Sequence, residues 1–149
     1  MAEIDRSLLG VWGAETVMRI ESGKIREFAR AVKDPNPAYL DDEGALAPPT
    51  FLMTIAHWMR DLGETRSAVT LDYRRLLHGE QEFEYLAPIH AGDVLTATGR
   101  VSDVFEKPGS RGGAMTFGVI ETTFTNQRGE KVLISRSTLI ETAAPVKKE

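Results

Sequence analysis

The chain has 149 residues, no cysteine and a formal net charge of −4, with acidic and basic residues interspersed. This length is typical of one domain with a single core, so we expect one domain over 1–149 whose tail, 143–149, is frayed. The lack of cysteine excludes disulfides and fits a cytoplasmic location. Residues 1–10 have no continuous apolar run, so we expect no signal peptide. The sequence has no apolar run of 18 residues, and the basic pairs Arg74-Arg75 and Lys147-Lys148 are too few for nucleic-acid binding. We therefore expect no membrane and no nucleic-acid partner.

The first third of the sequence predicts a strand followed by an amphipathic helix. Residues 14–21 are typical of a short strand, and Ser22 is suited to be a helix N-cap. Apolar residues then recur at the i, i+3, i+4, i+7 spacing that buries one stripe of a helix. Asp34-Pro35-Asn36-Pro37 ends this helix, because each proline disfavours helical geometry in the residue before it. The stripe consists of Ile25, Phe28, Ala29 and Val32.

A second helix is predicted from Thr50 to about Leu62. Pro48-Pro49 precedes it and Gly63 is a natural stop. Its apolar residues cover most of the helix circumference, which indicates a buried helix. They are Phe51, Leu52, Ile55, Ala56, Trp58, Met59 and Leu62.

The rest of the chain alternates with a period of two and predicts strands. We expect strands at 67–73, 80–86, 94–106, 114–125 and 131–141, with a hairpin turn at 126–129. In the second of these, three glutamates alternate with Gln81, Phe83 and Tyr85, which is typical of a half-buried strand. The element order favours an α+β fold in which a curved antiparallel sheet wraps around a central buried helix. The uncovered side of that helix would need another cover, commonly a second subunit.

One candidate for chemistry is the turn at Asp34-Pro35-Asn36-Pro37-Ala38-Tyr39. A carboxylate held in a proline-rigid turn is well placed to act as a general base or to orient water. The competing interpretation, which the residues by themselves favour, is a helix stop in which the Asp and Asn side chains bond their own backbone.

A second candidate is the predicted helix start at Ala47-Pro48-Pro49-Thr50-Phe51. Helix starts leave N–H groups unsatisfied and carry partial positive charge, so they suit a developing oxyanion. Proline has no N–H, so the donors would be Thr50 and Phe51. The competing interpretation is that the prolines merely fix the chain's entry into the helix.

His78, at the start of a strand, is a third candidate, although a lone histidine is more often structural than catalytic. His57 and His90 have weaker claims. The histidines lack metal-ligand spacing, and the Gly-x-Ser-x-Gly, P-loop and Rossmann motifs are absent. We therefore expect no metal site and no cofactor.

Several short motifs, in this order and spacing, resemble the N-terminal MaoC-like dehydratase domain over residues 7–142. This resemblance implies a hot-dog fold and similarity to non-catalytic subunits of (3R)-hydroxyacyl-acyl-carrier-protein dehydratases. The motifs are Ile25-Arg26-Glu27-Phe28-Ala29 before Asp34-Pro35-Asn36-Pro37, then Ala47-Pro48-Pro49-Thr50-Phe51, then His78-Gly79-Glu80-Gln81 before Phe83-Glu84-Tyr85, and Pro88 with Gly92-Asp93-Val94-Leu95.

Catalytic members of that family carry Asp-x-Asn-Pro followed two residues later by His, and the Asp–His pair activates water for addition to a trans-2-enoyl thioester. The resemblance maps Asp34, Asn36 and Pro37 onto this motif and puts Tyr39 where the histidine stands. A phenol ordinarily titrates near pH ~10 and is a poor replacement for imidazole as a base. Tyrosine here is common in N-terminal halves that hold substrate for a catalytic partner.

The leading hypothesis is therefore a subunit of an (R)-specific hydratase or dehydratase acting on acyl-CoA or acyl-carrier-protein thioesters. A heterodimeric partner would supply the Asp–His pair, while this chain binds substrate through Asn36 and Thr50 and lines the acyl pocket with Phe51, Ile55 and Met59. The second hypothesis is a self-sufficient homodimer that uses Asp34 with His78 or Tyr39. The third is a non-catalytic binder of acyl-CoA, lipid or sterol chains, and the fourth is a thioesterase, whose acidic residue would be Asp61.

Overall fold

The computed structural model describes residues 2–58, 68–109 and 112–144. The predicted helix end at Leu62 and Gly63 and the last five residues of the tail lie outside this part. One α-helix, α1, spans Ser22–Ala31, and four 3₁₀ helices span Arg6–Leu8, Pro37–Tyr39, Phe51–His57 and Tyr73–Arg75. The strands are β1 Glu3–Ile4, β2 Thr16–Arg19, β3 Val69–Thr70, β4 Leu76–Tyr85, β5 Val94–Pro108, β6 Ala114–Thr125 and β7 Lys131–Glu141.

Five of the strands form one antiparallel sheet in the order β2-β5-β6-β7-β4. The predicted hairpin joins β6 to β7, and Gly129 has a φ of 79°, a left-handed conformation that favours glycine. The strands predicted at 94–106, 114–125 and 131–141 are therefore confirmed. The strand predicted at 80–86 is confirmed and begins four residues earlier, at Leu76.

The hydrophobic core lies on one face of this sheet, which we call the inner face. Side chains alternate along each strand, so that Leu95, Ala97, Phe124 and Leu133 all point inward and are buried. The 3₁₀ helix Phe51–His57, which we call the inner helix, packs against them through Phe51 and Leu52. A sheet covering a central helix in this way is the hot-dog fold, so the predicted α+β class is confirmed.

The inner helix differs from the prediction in type. It is a 3₁₀ helix in its described part, because the Phe51 N–H bonds the Pro48 carbonyl and the Met53 N–H bonds the Thr50 carbonyl, each three residues back. Phe51 and Leu52 are fully buried, whereas Met53 is 44% exposed. The prediction of an α-helix is therefore wrong for this segment. One of its sides is open in the single chain, which agrees with the expectation that one side of the central helix needs another cover.

The apolar stripe predicted for the first helix, α1, is buried at the centre of the helix, but the helix ends differ from the prediction. Ile25 and Ala29 are buried and Phe28 is half-buried, but Val32 is half-exposed at the C-cap. Ser22 is the first helical residue and Glu21 is the N-cap, without a side-chain capping bond. The prediction of Ser22 as N-cap is therefore wrong by one residue.

The segment predicted as a strand at 67–73 belongs to a separate small sheet. Its described part contains β3, which has two residues and pairs with β1 near the N-terminus. This pair packs with Val101 and Val104 in a second apolar cluster. Period-two alternation correctly indicated an extended segment, but its partner is far away in sequence and carried no local signal. None of the helices in the described ranges has the length and apolar character that crossing a membrane requires.

A buried ion pair anchors the chain just before β4. The Arg75 Nη2 atom lies 2.6 Å from Oε1 of Glu141, whose side chain is 3% exposed, and the Asp72 N–H donates to Glu141 Oε2 at 2.8 Å. Arg74 hydrogen bonds hold the pKa of Asp72 well below its usual range. The start of β4 is thereby tied to the end of β7 by charge as well as by the sheet ladder.

A row of charged side chains crosses four strands on the outer face of the sheet. Arg100, Glu121, Arg136 and Glu82 are directly opposite one another in register on β5, β6, β7 and β4. Arg100 Nη2 and Arg136 Nε lie 2.7 and 3.0 Å from the two Glu121 oxygens, and Arg136 Nη1 lies 3.2 Å from Glu82. Burial disfavours ionisation of Glu121, but the hydrogen bonds from the two arginines outweigh it and hold the pKa of that carboxyl below its usual value.

We expect Glu121→Gln to lower the free energy of unfolding by about 1–3 kcal/mol at pH 7, because two guanidinium groups lose their shared carboxylate. A carboxyl whose folded pKa is depressed stabilises the fold above its unfolded pKa and loses that contribution as pH falls through the folded pKa. The difference in the free energy of unfolding between the wild type and Glu121→Gln should therefore narrow below pH 4.5, which is the ordinary pKa of this carboxyl. Urea unfolding at a series of pH values measures it, with the exposed Glu43→Gln as control. A difference that does not change with pH would contradict this role.

Candidate functional site

Asp34 and Asn36 form two successive turns between α1 and the helix Pro37–Tyr39. The Asp34 Oδ1 atom accepts a hydrogen bond from the Asn36 N–H at 3.1 Å, and Asn36 Oδ1 accepts one from the Ala38 N–H at 3.0 Å. Both residues are exposed. Asn36 is also the N-cap of the short 3₁₀ helix. The structural role that the sequence allowed for these side chains is thus present, and a catalytic role for Asp34 stays a prediction.

Tyr39 follows directly and points into the core. It is 5% exposed and belongs to the same buried cluster as Ala47 and Phe51. Its hydroxyl has no hydrogen-bond partner among the described residues, unlike that of Tyr85. The Tyr85 hydroxyl donates to the Pro49 carbonyl oxygen at 2.8 Å, at the head of the inner helix. Burial, with a smaller contribution from nearby Tyr39, raises the pKa of Tyr85 to about 12.

The backbone at the head of the inner helix has one of the two N–H donors that the sequence predicted. The Phe51 N–H is used by the Pro48 carbonyl at 2.9 Å. The Thr50 N–H, by contrast, has no acceptor within the part of the chain that the structure describes, and Thr50 is exposed. An unused amide donor at the start of a helix can stabilise a developing negative charge on a carbonyl oxygen.

His78 lies far from this group of residues within the chain. It is exposed on β4, seven residues before Tyr85, and a strand rises about 3.3 Å per residue, so the two are roughly 20 Å apart. The sheet ladder is irregular between His78 and Glu80, where a Cβ on Gly79 would lie 2.6 Å from the Ile140 side chain. A side chain at position 79 would therefore require the Ile140 side chain to move. Asp34 and Tyr39 therefore lie in one short segment after α1, and His78 lies on a distant part of β4.

The other histidines are differently placed. His90 pairs through its backbone with Leu46, whose N–H bonds the Ala38 carbonyl at 2.8 Å, so His90 is close to the Tyr39 loop in the fold although its side chain is exposed. His57 is exposed on the inner helix. Within 2–58, 68–109 and 112–144, no histidine side chain bonds Asp34 or Tyr39, and no three side chains form a metal-binding group.

An apolar groove of about 320 Å³ separates α1 from the inner helix. Phe28 and Phe51 meet edge to face in its wall, with ring centroids 5.5 Å apart. Of the predicted pocket residues, Phe51 lines this groove, Ile55 packs on the core, and Met59 lies outside the described residues. The lining residues are Lys24, Glu27, Phe28, Ala31, Phe51, Thr54, His57 and Trp58.

Sequence reasoning did not assign Tyr85, Phe28 or Trp58 to the site. Tyr85 was recognisable only as an inward position in the alternation of β4. Phe28 and Trp58 fitted the apolar stripes of two helices, which is the pattern of core residues. The two stripes border one groove because α1 packs against the inner helix, and no local motif in the sequence indicates this packing.

The five-stranded sheet with its inner helix has the architecture of a hot-dog protein. The family model described as the FAS1-like dehydratase domain region matches residues 7–135, so the chain belongs to this family. A UPF0336 protein of Saccharopolyspora erythraea is 33% identical over 146 residues, which cover 92% of this chain and 90% of that protein.

Two solved structures extend the comparison. A MaoC-like dehydratase superposes with a TM-score of 0.75 and 27% identity, covering 93% of this chain and 43% of that longer chain. A chain of the HadBC (3R-hydroxyacyl-ACP dehydratase) complex from Mycobacterium tuberculosis superposes with a TM-score of 0.66 and 26% identity. This match covers 86% of our chain and 95% of the HadBC chain. The resemblance to MaoC-like dehydratases is thereby confirmed.

We expect Tyr85→Phe to lower the free energy of unfolding by about 1 kcal/mol, because the Pro49 carbonyl loses its hydrogen-bond donor. Chemical denaturation at neutral pH measures the change. Tyr73→Phe is the matched control, since Tyr73 is 88% exposed. Equal stability of the two variants would contradict a role for Tyr85 in holding the head of the inner helix.

Proposed function

We propose that this chain is the substrate-holding subunit of an (R)-specific enoyl-thioester hydratase or 3-hydroxyacyl-thioester dehydratase. A second hot-dog chain with an intact Asp-x-Asn-Pro-x-His motif supplies the catalytic pair. The observation that carries the proposal is Tyr39, which occupies the histidine position of the motif and is buried beside the head of the inner helix.

Hydration adds a hydroxyl group to C3 of the enoyl thioester and a proton to C2, and dehydration reverses both additions. A general base must take a proton from water while the thioester carbonyl accumulates negative charge. A neutral phenol donates a hydrogen bond readily but does not accept this proton near pH 7. Asp34 has an available carboxylate but no imidazole bonded to it among the described residues. This half of the site is thus better suited to holding substrate than to activating water.

The groups at the head of the inner helix suit the thioester end of a substrate. The Thr50 N–H is an unused donor for the carbonyl oxygen, and the Tyr39 hydroxyl, in the same buried cluster as Ala47 and Phe51, is a second candidate donor. Tyr85 holds the Pro49 carbonyl and so fixes the backbone just before Thr50. Asn36 stays a candidate contact through its amide nitrogen, since its oxygen is used in the turn. In these assignments the chain's own residues bind the substrate, but the partner chain must supply the catalytic pair.

The purified chain alone should not hydrate trans-2-enoyl-CoA thioesters of any length from four to about sixteen carbons. Loss of the conjugated-enoyl absorbance measures hydration, with Asp34→Asn run in parallel. Adding a MaoC-like chain that carries the intact motif should produce hydration, and this activity should persist when Asp34→Asn replaces the wild type. Hydration by the wild type alone that disappears in Asp34→Asn would overturn the proposal in favour of a self-sufficient homodimer.

A second candidate function, non-catalytic binding of acyl chains, is favoured by the apolar groove between α1 and the inner helix. The groove is open and lined by aromatic rings, with the cationic Lys24 at one wall. This function requires ligand binding without turnover, even in the presence of a partner carrying the motif. The partner-addition experiment therefore separates it from the leading proposal.

Trp58 offers a direct test of whether the groove binds an acyl chain. The protein has two tryptophans, so Trp12→Phe leaves Trp58 as the sole fluorophore, while Trp58→Phe leaves Trp12 stacked on Arg100 at the outer face. Dodecanoyl-CoA, which cannot be hydrated, should change the Trp58 emission with saturation and leave the Trp12 emission unchanged. Free coenzyme A controls for quenching by adenine. Equal responses of the two variants would place the acyl chain elsewhere.

A further inference from the structure

A second row of side chains crosses the outer face of the sheet, parallel to the charged row of Arg100, Glu121, Arg136 and Glu82. Its members are directly opposite one another in register on β5, β6, β7 and β4. They lie on the outer face because an even number of residues separates them from the charged row along β6 and along β7. We call this set the apolar row, and it consists of Phe105, Phe117, Ile140 and Leu77.

The apolar row is in contact with solvent in the single chain. Phe105 and Phe117 stack with ring centroids 4.9 Å apart, and the Lys107 Nζ atom lies 5.0 Å from the Phe105 centroid. Leu77 is 41% exposed, and the two rings and Ile140 are half-buried. An apolar band across the solvent side of a sheet indicates an interaction surface more strongly than an isolated apolar side chain does.

The charged row restricts what can dock on this face. From β5 to β4 its signs alternate, positive at Arg100 and Arg136 and negative at Glu121 and Glu82. Reversing the direction of a row with alternating signs exchanges its positive and negative ends. A second copy whose rows run in the opposite direction therefore presents the opposite charge at every position of the row.

Two-fold symmetry selects one such arrangement. An axis parallel to the strands, between β6 and β7, reverses both rows, so that the apolar row packs on the apolar row of the second copy. The same axis sets Arg100 opposite Glu82 of the second copy and Glu121 opposite Arg136 of the second copy. An axis along the charged row would instead set each charge opposite itself, and like charges across an interface are costly.

The row between these two is compatible with the same axis at its centre. It sets Val119 of β6 opposite Thr138 of the second copy, which is an uncharged contact. Asp103 and Glu80 meet at the ends of this row, where both are exposed and where solvent and salt screen their repulsion. Two sheets stack face to face about 10 Å apart with their strands nearly aligned, which this axis allows.

We propose that the outer face of the five-stranded sheet binds the outer face of a second copy of this chain. The apolar rows pack on one another, and the charged rows pair with opposite signs. The inference does not rest on the proposed function, because the candidate site lies at the other face of the sheet, where the inner helix packs. Self-association and partner-dependent hydration can therefore be measured separately, and either can fail without the other.

Thr138→Lys tests the contact at its centre. Lysine at this half-buried position would hold the two sheets apart and bring an unpaired charge into the interface. The dissociation constant of self-association, measured by analytical ultracentrifugation, should therefore rise by at least about tenfold. Thr70→Lys is the matched control, because Thr70 is exposed on the separate small sheet.

Thr138 lies on β7, which has a neighbouring strand on both sides, so association through a sheet edge would respond to neither lysine variant. Equal dissociation constants of Thr138→Lys and Thr70→Lys would overturn the proposal. A wild type that stays monomeric at about 1 mM would overturn it as well.

A chain in which the signs of the charged row are exchanged tests the pairing of charges. The exchange keeps each ion pair of the row within the chain, and it includes Glu84 because Glu84 lies 3.1 Å from Arg136. Trp12→Leu is made in both chains of the experiment, since Trp12 stacks on the cation of Arg100. The exchanges are R100E, E121R, R136E, E82R and E84R.

Each of the two chains should form its own dimer, whereas a mixed dimer would set like charges opposite one another. Mixed one to one at low ionic strength, the chains should form fewer mixed dimers than the statistical half in native mass spectrometry. A mixed fraction of one half or more overturns the proposal. If the sign-exchanged chain does not fold, the comparison of Thr138→Lys with Thr70→Lys still decides.

Discussion

Burial of one face of the five-stranded sheet against Phe51 and Leu52 is the constraint on which the rest of the structure depends. Strand alternation puts Leu95, Ala97, Phe124 and Leu133 on that face, and each is almost completely buried. The inner helix has no long-range backbone partner in the sheet among the described residues, so its position is set by these contacts and by the two prolines that lead into it. The positions of the residues at the head of this helix therefore depend on that packing.

The candidate site is a consequence of this position. Tyr39 reaches the head of the inner helix from the loop after α1, and Tyr85 reaches it from the end of β4. The two tyrosines come from distant segments of the chain. Tyr39 belongs to the buried cluster that contains Ala47 and Phe51, and the Tyr85 hydroxyl bonds the Pro49 carbonyl. An enzyme half that holds substrate needs fixed donors more than it needs titratable groups. The low-polarity surroundings that raise the pKa of Tyr85 keep that phenol neutral.

The sequence was informative wherever a local pattern decided the structure. The alternation in β4 to β7, the hairpin turn at Gly129 and the Asp34 turn were all predictable, because each depends on residues within a few positions of one another. The motif comparison that singled out Tyr39 required only its spacing from Asp34 and Asn36.

The failures concern interactions between distant segments. The apolar pattern of the inner helix indicated that one side would need another cover, but it did not say which side; that side includes Met53, which none of the described residues covers. The β1 and β3 pair joins residues more than 60 positions apart, and the Tyr85 bond to Pro49 spans 36. His78 was a candidate partner of Asp34 because distance along a strand cannot be judged without knowing where the other segments dock.

The charged row on the outer face has a consequence for how the sheet assembles. The strands β5, β6 and β7 are 15, 12 and 11 residues long, and long antiparallel strands can pair in several registers during folding. A slip by one residue would turn Glu121 or Arg136 toward the apolar interior, where an unpaired charge is costly. A slip by two would set Glu121 opposite Ile134 or Thr138 in place of Arg136. The alternating charges therefore destabilise misaligned pairings of these strands relative to the native register.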